Sequence, residues 1–215
     1  MYNVAIVGGG PAGIFTALEI TKLKPDWKVV LIEKGSKIEE RKCPMREGLK
    51  QCVNCKRCGL LCGWGGAGAF SDGKLTLTPD VGGHLVDYMS YNDVEDLIDY
   101  CDKLYLEHGA TEVVYGTNRE EFADIERAAT LAELKLVHSP VRHLGTERSL
   151  HVLKHMQDYL SDKITIINNE KVESLIVENE QVKGFTTSSG EKIFANYIVI
   201  APGREGADWL TCEFE

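Results

Sequence analysis

An apolar strand that runs into a glycine turn, opens a helix and is followed by a second strand ending on an acid restricts this chain more than any other feature. Val4-Ala5-Ile6-Val7 leads into Gly8, Gly10 and Gly13, and Pro11-Ala12-Gly13 begins the helix. Short, branched and apolar, the first segment suits a strand buried on both faces. In such a junction the first glycine permits the tight turn, the second lets backbone approach a pyrophosphate, and the third allows close helix-strand packing. The helix N-terminus adds unpaired N–H groups and positive dipole for phosphates. Lys28-Val29-Val30-Leu31-Ile32 reads as the second strand, so Glu33, twenty residues after Gly13, would stand beside the glycine turn. A carboxylate there can accept hydrogen bonds from ribose hydroxyls and disfavours a 2′-phosphate. The pattern is a dinucleotide site that prefers FAD or NAD over NADP.

Along the chain, Ile14, Ala17, Leu18 and Ile20 return at helical spacing before Pro25-Asp26 ends the run, which completes a βαβ unit over 1–40. Residues 41–83 turn Gly- and Cys-rich without periodicity and read as a ligand-shaped loop region, because loops of that length without a role are uncommon. A mainly helical segment follows over 84–162. Val94, Leu97, Ile98, Cys101, Leu104 and Tyr105 form one helical stripe ended by Gly109. A second helix is expected after Asn118 with Phe122, Ile125 and Ala129 inward, and a third after Thr146 with Leu150, Leu153 and Leu160 inward. Over 163–215 the pattern changes to short strands at Ile164–Ile167, Val172–Val177, Val182–Thr187 and Lys192–Ala195, one strand feeding a β-meander. Tyr197-Ile198-Val199-Ile200 is again a continuous apolar run fit for a central parallel strand. It ends in Ala201-Pro202-Gly203, a second glycine turn at a strand's C-terminal end, where ligands of open α/β sheets bind. The fold class is α/β: a Rossmann-like FAD-binding domain with a parallel central sheet, a β-meander and inserted helices.

Composition narrows the partners. With 33 acidic against 24 basic residues the net charge is −9, which repels nucleic acid and anionic membrane surfaces, and no basic tract offsets it. No apolar run approaches the ~20 residues that span a bilayer, and the N-terminal segment lacks the basic leader of a signal peptide. Seven cysteines, an odd number, favour a reducing cytoplasm, where clustered thiols point to metal or redox chemistry before structural disulfides.

The order of these elements resembles the two-dinucleotide-binding flavoproteins. More narrowly, Gly65-Gly66-Ala67-Gly68-Ala69-Phe70-Ser71-Asp72-Gly73-Lys74-Leu75 and Arg142-His143-Leu144-Gly145-Thr146-Glu147 resemble an uncharacterised bacterial family of FAD-dependent dehydrogenases, over nearly the whole chain. Proline at 202 replaces the threonine usual in the last glycine turn. The resemblance implies FAD as cofactor, with Gly8, Gly10 and Gly13 at the ADP pyrophosphate, Glu33 at the adenosine ribose, Val172 meeting the adenine through its backbone, and Pro11, Ala12 and Lys34 also among the cofactor-binding positions. It implies that Gly65, Gly66, Gly68, Ser71 and Lys74 line the flavin side, with Ala201 and Gly203 closing the cofactor site. A plain β-turn at Asp72-Gly73 and a solvated Lys74 are the simpler readings of those positions. Arg41 could reach an FAD phosphate, although an arginine there is more often a surface charge. Members of the family continue for a few hundred residues more, so the chain reads as an N-terminal fragment.

Cys52, Cys55, Cys58 and Cys62 are spaced C-x2-C-x2-C-x3-C, with Cys43-Pro44 upstream. This is the run that holds four-iron clusters in bacterial ferredoxins; four thiolates could equally hold zinc. A redox dithiol such as Cys58 with Cys62 near the flavin and reduced structural thiols are the other readings. Cys101 is a small buried hydrophobe by its place on a helical stripe, and Cys212 is unexplained. Of the six histidines only His143 lies in a family-like motif, where backbone bonding before a helix capped by Thr146 is the simpler role. Ser71 has no Ser-His-Asp context, so hydrolase chemistry has little support, and no catalytic residue is identified. The reading is an FAD-dependent oxidoreductase acting on a small-molecule substrate or electron donor, with NAD(P)H a candidate donor. An NAD-linked dehydrogenase and a flavin/iron-sulfur redox sensor or electron carrier are the alternatives.

Overall fold

The computed structural model describes residues 1–214 and divides into two compact units: Met1–Phe70 with the segment from Leu153 onward, and Ser71–Val152. The first unit is built on a six-stranded sheet. Its strands are β1 (Tyr2–Val7), β2 (Val29–Glu33), β5 (Thr165–Asn168), β6 (Val172–Glu178), β7 (Gln181–Thr187) and β8 (Lys192–Ile200), in spatial order β5-β2-β1-β8-β7-β6. β5, β2, β1 and β8 are mutually parallel, whereas β8, β7 and β6 are antiparallel neighbours. The fold class expected from the sequence is therefore the one observed.

Two expected segments are one strand. Lys192–Ala195 and Tyr197–Ile200 join as β8, whose first half pairs with β7 (Phe194 opposite Gly184) and whose second half pairs with β1 (Val199 opposite Ile6). Asn196 between them is a weak strand former, yet it lies within a strand paired on both flanks. The β6–β7 hairpin turns at Asn179 and Glu180, both left-handed at φ 50° and 62°, the geometry that matches strand twist in a two-residue loop.

Alternation along the strands gives the sheet two faces. Ala5, Val7, Val30 and Ile32 form one buried cluster with Val172, Phe185, Ile193 and Ala195. On the other face Ile6 meets α1 (Pro11–Leu23), since a Cβ on Gly13 would lie 3.3 Å from the Ile6 side chain. The outer edge of β6 is covered by α5 (Ala207–Phe214): the Trp209 indole donates to Glu173 O at 2.9 Å and the Glu213 carboxylate accepts from Leu175 N at 2.6 Å. These side chains take up polar groups that an edge strand would leave open.

The second unit pairs β3 (Lys74–Thr76) with β4 (Val141–His143) and carries α2 (Tyr91–Glu107) and α3 (Arg119–Leu131). Ser90 and Asn118 cap the two helices by accepting from Asp93 N and from Glu120 and Glu121 N. Buried Arg142 grips Asp102 through Nε and Nη2, both at 2.6 Å. The expected inward face of α3 is not buried; Ile125 is 56% exposed. The helix starting near Thr146 is α4 (Gly145–Ser161), which passes from the second unit into the first; its buried positions include Leu153 and Leu160, and Leu150 is half-buried.

Candidate functional site

The C-terminal ends of β1, β2 and β8 open onto a crevice of about 740 Å³ in the first unit. Its lining includes Gly8, Gly10 and Pro11 from the first turn, Glu33 and Lys34 from the end of β2, and Gly66 and Gly68 from the glycine block. Val172 borders it from the start of β6, and Ala201 and Gly203 from the turn after β8. Ala12 and Gly13 are not in the lining; Ala12 is exposed in the first helical turn and Gly13 is buried.

The glycines are required for different physical reasons. A Cβ on Gly13 would stand 1.9 Å from Gly8 O, and one on left-handed Gly8 (φ 108°) 2.2 Å from Ala201 O, so both positions are set by backbone-to-backbone approach. A Cβ on Gly10, Gly68 or Gly203 would meet nothing within 4 Å. These three therefore leave room in the crevice that side chains would occupy. Gly10 is the N-cap of α1 without a side-chain cap, and Ile14 N donates to Gly10 O at 2.9 Å, which leaves the leading N–H groups of the helix free at the crevice end.

Glu33 is 6% exposed and its carboxylate already accepts three backbone N–H bonds: Oε2 from Gly9 at 2.7 Å, and Oε1 from Gly35 and from Gly63, each at 2.8 Å. It ties the glycine turn, the turn after β2 and the cysteine loop together. A carboxylate has about four acceptor sites, so one remains on Oε2. Gly35 allows this convergence, since a Cβ there would lie 2.3 Å from Gly63 N. Neither Gly35 nor Gly63 carries a sequence signal for the role, because the contact closes a loop of some thirty residues.

Arg41 does not line the crevice. Its guanidinium is buried and donates to the carbonyls of Gly59, Leu60, Trp64 and Gly66 at 2.7 to 3.0 Å, with Gly63 O at 3.5 Å. Its plane lies 4.8 Å from the centre of the Phe70 ring. Burial pushes its pKa down, partly offset by the charge of Glu33. Rather than a phosphate ligand or a surface charge, Arg41 is the hub around which residues 59–66 fold. Trp64, fully buried, anchors the same loop by donating from Nε1 to Leu153 O at 2.9 Å, and Gly65 N donates to Gly9 O at 2.8 Å.

Lys34 forms an ion pair with Glu205 at 3.1 Å, and both border the crevice. Ser71 and Lys74 lie in the second unit. Ser71 Oγ accepts from Gly73 N at 3.2 Å and the Lys74 ammonium pairs with Asp72 at 3.0 Å, both side chains of that pair being more than half exposed. Together they form the Asp72-Gly73 turn. His143 is on β4, exposed, and Cys101 is exposed on α2 rather than buried.

The four cysteines of the C-x2-C-x2-C-x3-C run do not act as one set. Cys62 is buried and faces the crevice, whereas Cys52, Cys55 and Cys58 border a separate cavity together with Cys43. Among the described residues no three His, Cys, Asp or Glu side chains converge as one metal ion requires. Zinc or an iron-sulfur cluster held by Cys52, Cys55, Cys58 and Cys62 is therefore not supported; the turn from Cys58 to Cys62, closed by Cys62 N donating to Cys58 O at 2.9 Å, carries the last thiol through the wall. Burial raises the Cys62 pKa, against a smaller opposing pull from Lys34. No helix of the described residues is long and apolar enough to cross a membrane.

Comparison with known proteins agrees with the architecture. Residues 141–212 match the family model described as glucose inhibited division protein A. An uncharacterised protein of Clostridium beijerinckii is 24% identical over 204 residues, covering 94% of this chain and 31% of its own length. The mitochondrial L-2-hydroxyglutarate dehydrogenase of Dictyostelium discoideum is 24% identical over 213 residues, covering 90% and 43%. Glycine oxidase from Bacillus cereus superposes with a TM-score of 0.54 at 15% identity, over 99% of this chain and 58% of that one. L-Proline dehydrogenase from P. horikoshii gives 0.52 at 14%, over 99% and 55%. The chain thus spans less than half the length of the curated relatives it matches, and it has the mixed α/β, mainly parallel fold of these enzymes.

Proposed function

We propose that the chain is the dinucleotide-binding part of an FAD-dependent oxidoreductase acting on a small-molecule substrate. The observation that carries this reading is the crevice itself: a helix N-terminus, two close-approach glycines and a backbone-organised carboxylate at the ends of three parallel strands. The residues fit an extended diphosphate ligand, because Gly10, Gly68 and Gly203 leave open space where side chains would stand. In this reading Gly8, Gly10 and the first N–H groups of α1 hold the diphosphate, the remaining acceptor of Glu33 takes a ribose hydroxyl, and Val172 offers backbone to the adenine. Gly66 and Gly68 bring the glycine block alongside the phosphates. Flavin, when bound, supplies hydride and single-electron chemistry, and the protein contributes orientation and electrostatics. Ser71 and Lys74 are proposed on the flavin side by resemblance, and NAD(P)H as one candidate electron donor. Oxidase and dehydrogenase names among the similar proteins support an oxidoreductase.

The test uses Gly10→Val. Gly10 has φ −81° and ψ −179°, which valine adopts freely, and a Cβ there meets nothing within 4 Å. The variant is expected to fold like the parent and to lose FAD affinity by at least a hundredfold, read by quenching of flavin fluorescence. Undiminished FAD binding by the variant, or tight NAD binding by a parent that ignores FAD, would overturn the assignment.

A further inference from the structure

The second cavity of the first unit is unused by the proposed function. It has a volume of about 320 Å³ and is bordered by Cys43, Cys52, Cys55 and Cys58, with Pro44, Met45, Val53, Leu60 and Leu61 as its apolar wall. Cys43 opens a turn in which Arg46 N and Glu47 N donate to its carbonyl at 2.9 and 3.1 Å, and Cys58 opens another in which Leu61 N donates at 3.2 Å, so both bordering residues are held by backbone. Between them residues 50–58 have no regular structure, and Cys52 and Cys55 are exposed. Nothing within that stretch forms a core able to hold it.

We infer that this cavity is the seat of a four-iron, four-sulfide cluster ligated by Cys43, Cys52, Cys55 and Cys58. Two independent observations meet here. A C-x2-C-x2-C run supplies three thiolates to one cluster and takes its fourth from a cysteine outside the run that precedes a proline; Cys43-Pro44 is such a residue. The fold, without reference to that rule, places Cys43 with the three and sends Cys62 to the other cavity. The four residues border a space rather than converge on a point, and the Cys52 thiol, now 3.6 Å from Asn54 Oδ1, would leave that partner on ligation. A zinc ion would need four sulfurs within ~2.3 Å of one centre, which the described residues do not offer, whereas a cluster brings its own bulk and is gripped from outside. On assembly each thiol loses its proton and forms one bond to an iron corner. The group would also add to the few tethers of residues 43–58, where Arg57 Nη1 donates to Lys34 O at 3.2 Å and to Asn169 O at 3.1 Å, since metal-ligand bonds stabilise a segment with little core of its own. Leu61 borders both cavities, so this site and the crevice share a lining residue.

The inference stands apart from the flavin reading and is tested separately. The chain is purified under argon, incubated with equal amounts of ferric and ferrous iron and with sulfide, so that two ferric ions, two ferrous ions and four sulfides make up the oxidised cluster without a further oxidant, then desalted and assayed for bound iron and acid-labile sulfide. About four of each per chain are expected, with broad brown absorbance that bleaches on reduction by dithionite. Cys43→Ala and Cys55→Ala should lose most of the iron, and Cys62→Ala should keep all of it. Alkylation of the loaded parent, read by mass spectrometry, needs no variant to fold: Cys43, Cys52, Cys55 and Cys58 should be shielded while Cys212 reacts. Absence of iron beyond background overturns the inference. So does iron retained by Cys43→Ala but lost by Cys62→Ala, or one tightly held zinc per chain that iron fails to displace.

Discussion

Replacing Glu33 by glutamine keeps its shape and removes only charge and acceptor capacity, which isolates what the carboxylate does. The amide oxygen, placed where Oε1 now stands, can retain Gly35 N and Gly63 N, but the amide NH2 then faces Gly9 N, a donor against a donor. One buried N–H left without an acceptor costs about 1–3 kcal/mol, and two hydrogen bonds that lose their charge give up about 1 kcal/mol each. Burying a neutral amide instead of a carboxylate returns part of this, leaving a net loss of about 2–4 kcal/mol. With a urea slope at the upper end for small proteins, about 2–3 kcal/mol per molar, the midpoint should fall by roughly 0.7–2 M in ligand-free protein. Far-UV circular dichroism across a urea series reads it. A midpoint that moves by less than about 0.3 M would refute the claim that this carboxylate holds three loops together, whatever it does for a ribose.

Three further outcomes follow from the geometry. Gly13→Ala places a methyl 1.9 Å from Gly8 O, so α1 must lift from β1; a loss of about 2–4 kcal/mol on thermal melting is expected, and a melting temperature within 2 °C of the parent would contradict it. Asp102→Asn strips the buried Arg142 of its ionic partner and should cost about 3–5 kcal/mol, while pairing Asp102→Leu with Arg142→Met should recover much of that; equal stability of the two variants would show the charge to be of no consequence. Because burial raises the Cys62 thiol, its thiolate fraction at mildly alkaline pH is below that of an ordinary cysteine and grows only at higher pH. In metal-free protein, iodoacetamide should therefore label Cys62 well after Cys52 and Cys55, and simultaneous labelling would argue against its burial.

Where the chain is locally self-consistent, the residues announced the structure. Branched apolar runs at 4–7 and 29–32 flanking a glycine turn have few alternatives, and β1, α1 and β2 lie where their pattern places them. The crevice residues carried by those elements, Gly8, Gly10, Glu33 and Lys34, were legible for the same reason. Contacts that close long loops were not. Arg41 looks like any surface arginine until five carbonyls of a folded loop turn toward it, and Gly35 and Gly63 acquire their meaning only when brought together across 28 residues. Cysteine spacing groups Cys52, Cys55, Cys58 and Cys62 in one run, whereas Cys62 borders the crevice and the other three border a separate cavity, because spacing counts residues and cannot tell which side of a turn a residue faces. The face of α3 is legible only in part: Phe122, Ile125 and Ala129 have helical period, and Phe122 and Ala129 are half-buried while Ile125 is exposed, because period says that a face exists and not how fully it is covered.

The unbroken path of β8 has a consequence for how this architecture can vary. One rod links the outer hairpin to the turn at Ala201, whose N–H donates to Val7 O at 2.8 Å. Adding or deleting a single residue anywhere in the rod would invert every side chain beyond it, turning Ile193 and Ala195 outward or aiming the Ala201 turn away from the glycines. Changes of length are thereby restricted to steps of two or to a compensating bulge, so the distance from hairpin to crevice is quantised, and natural or engineered variation in reach should be found in the turns at 179–180 and 188–190 instead.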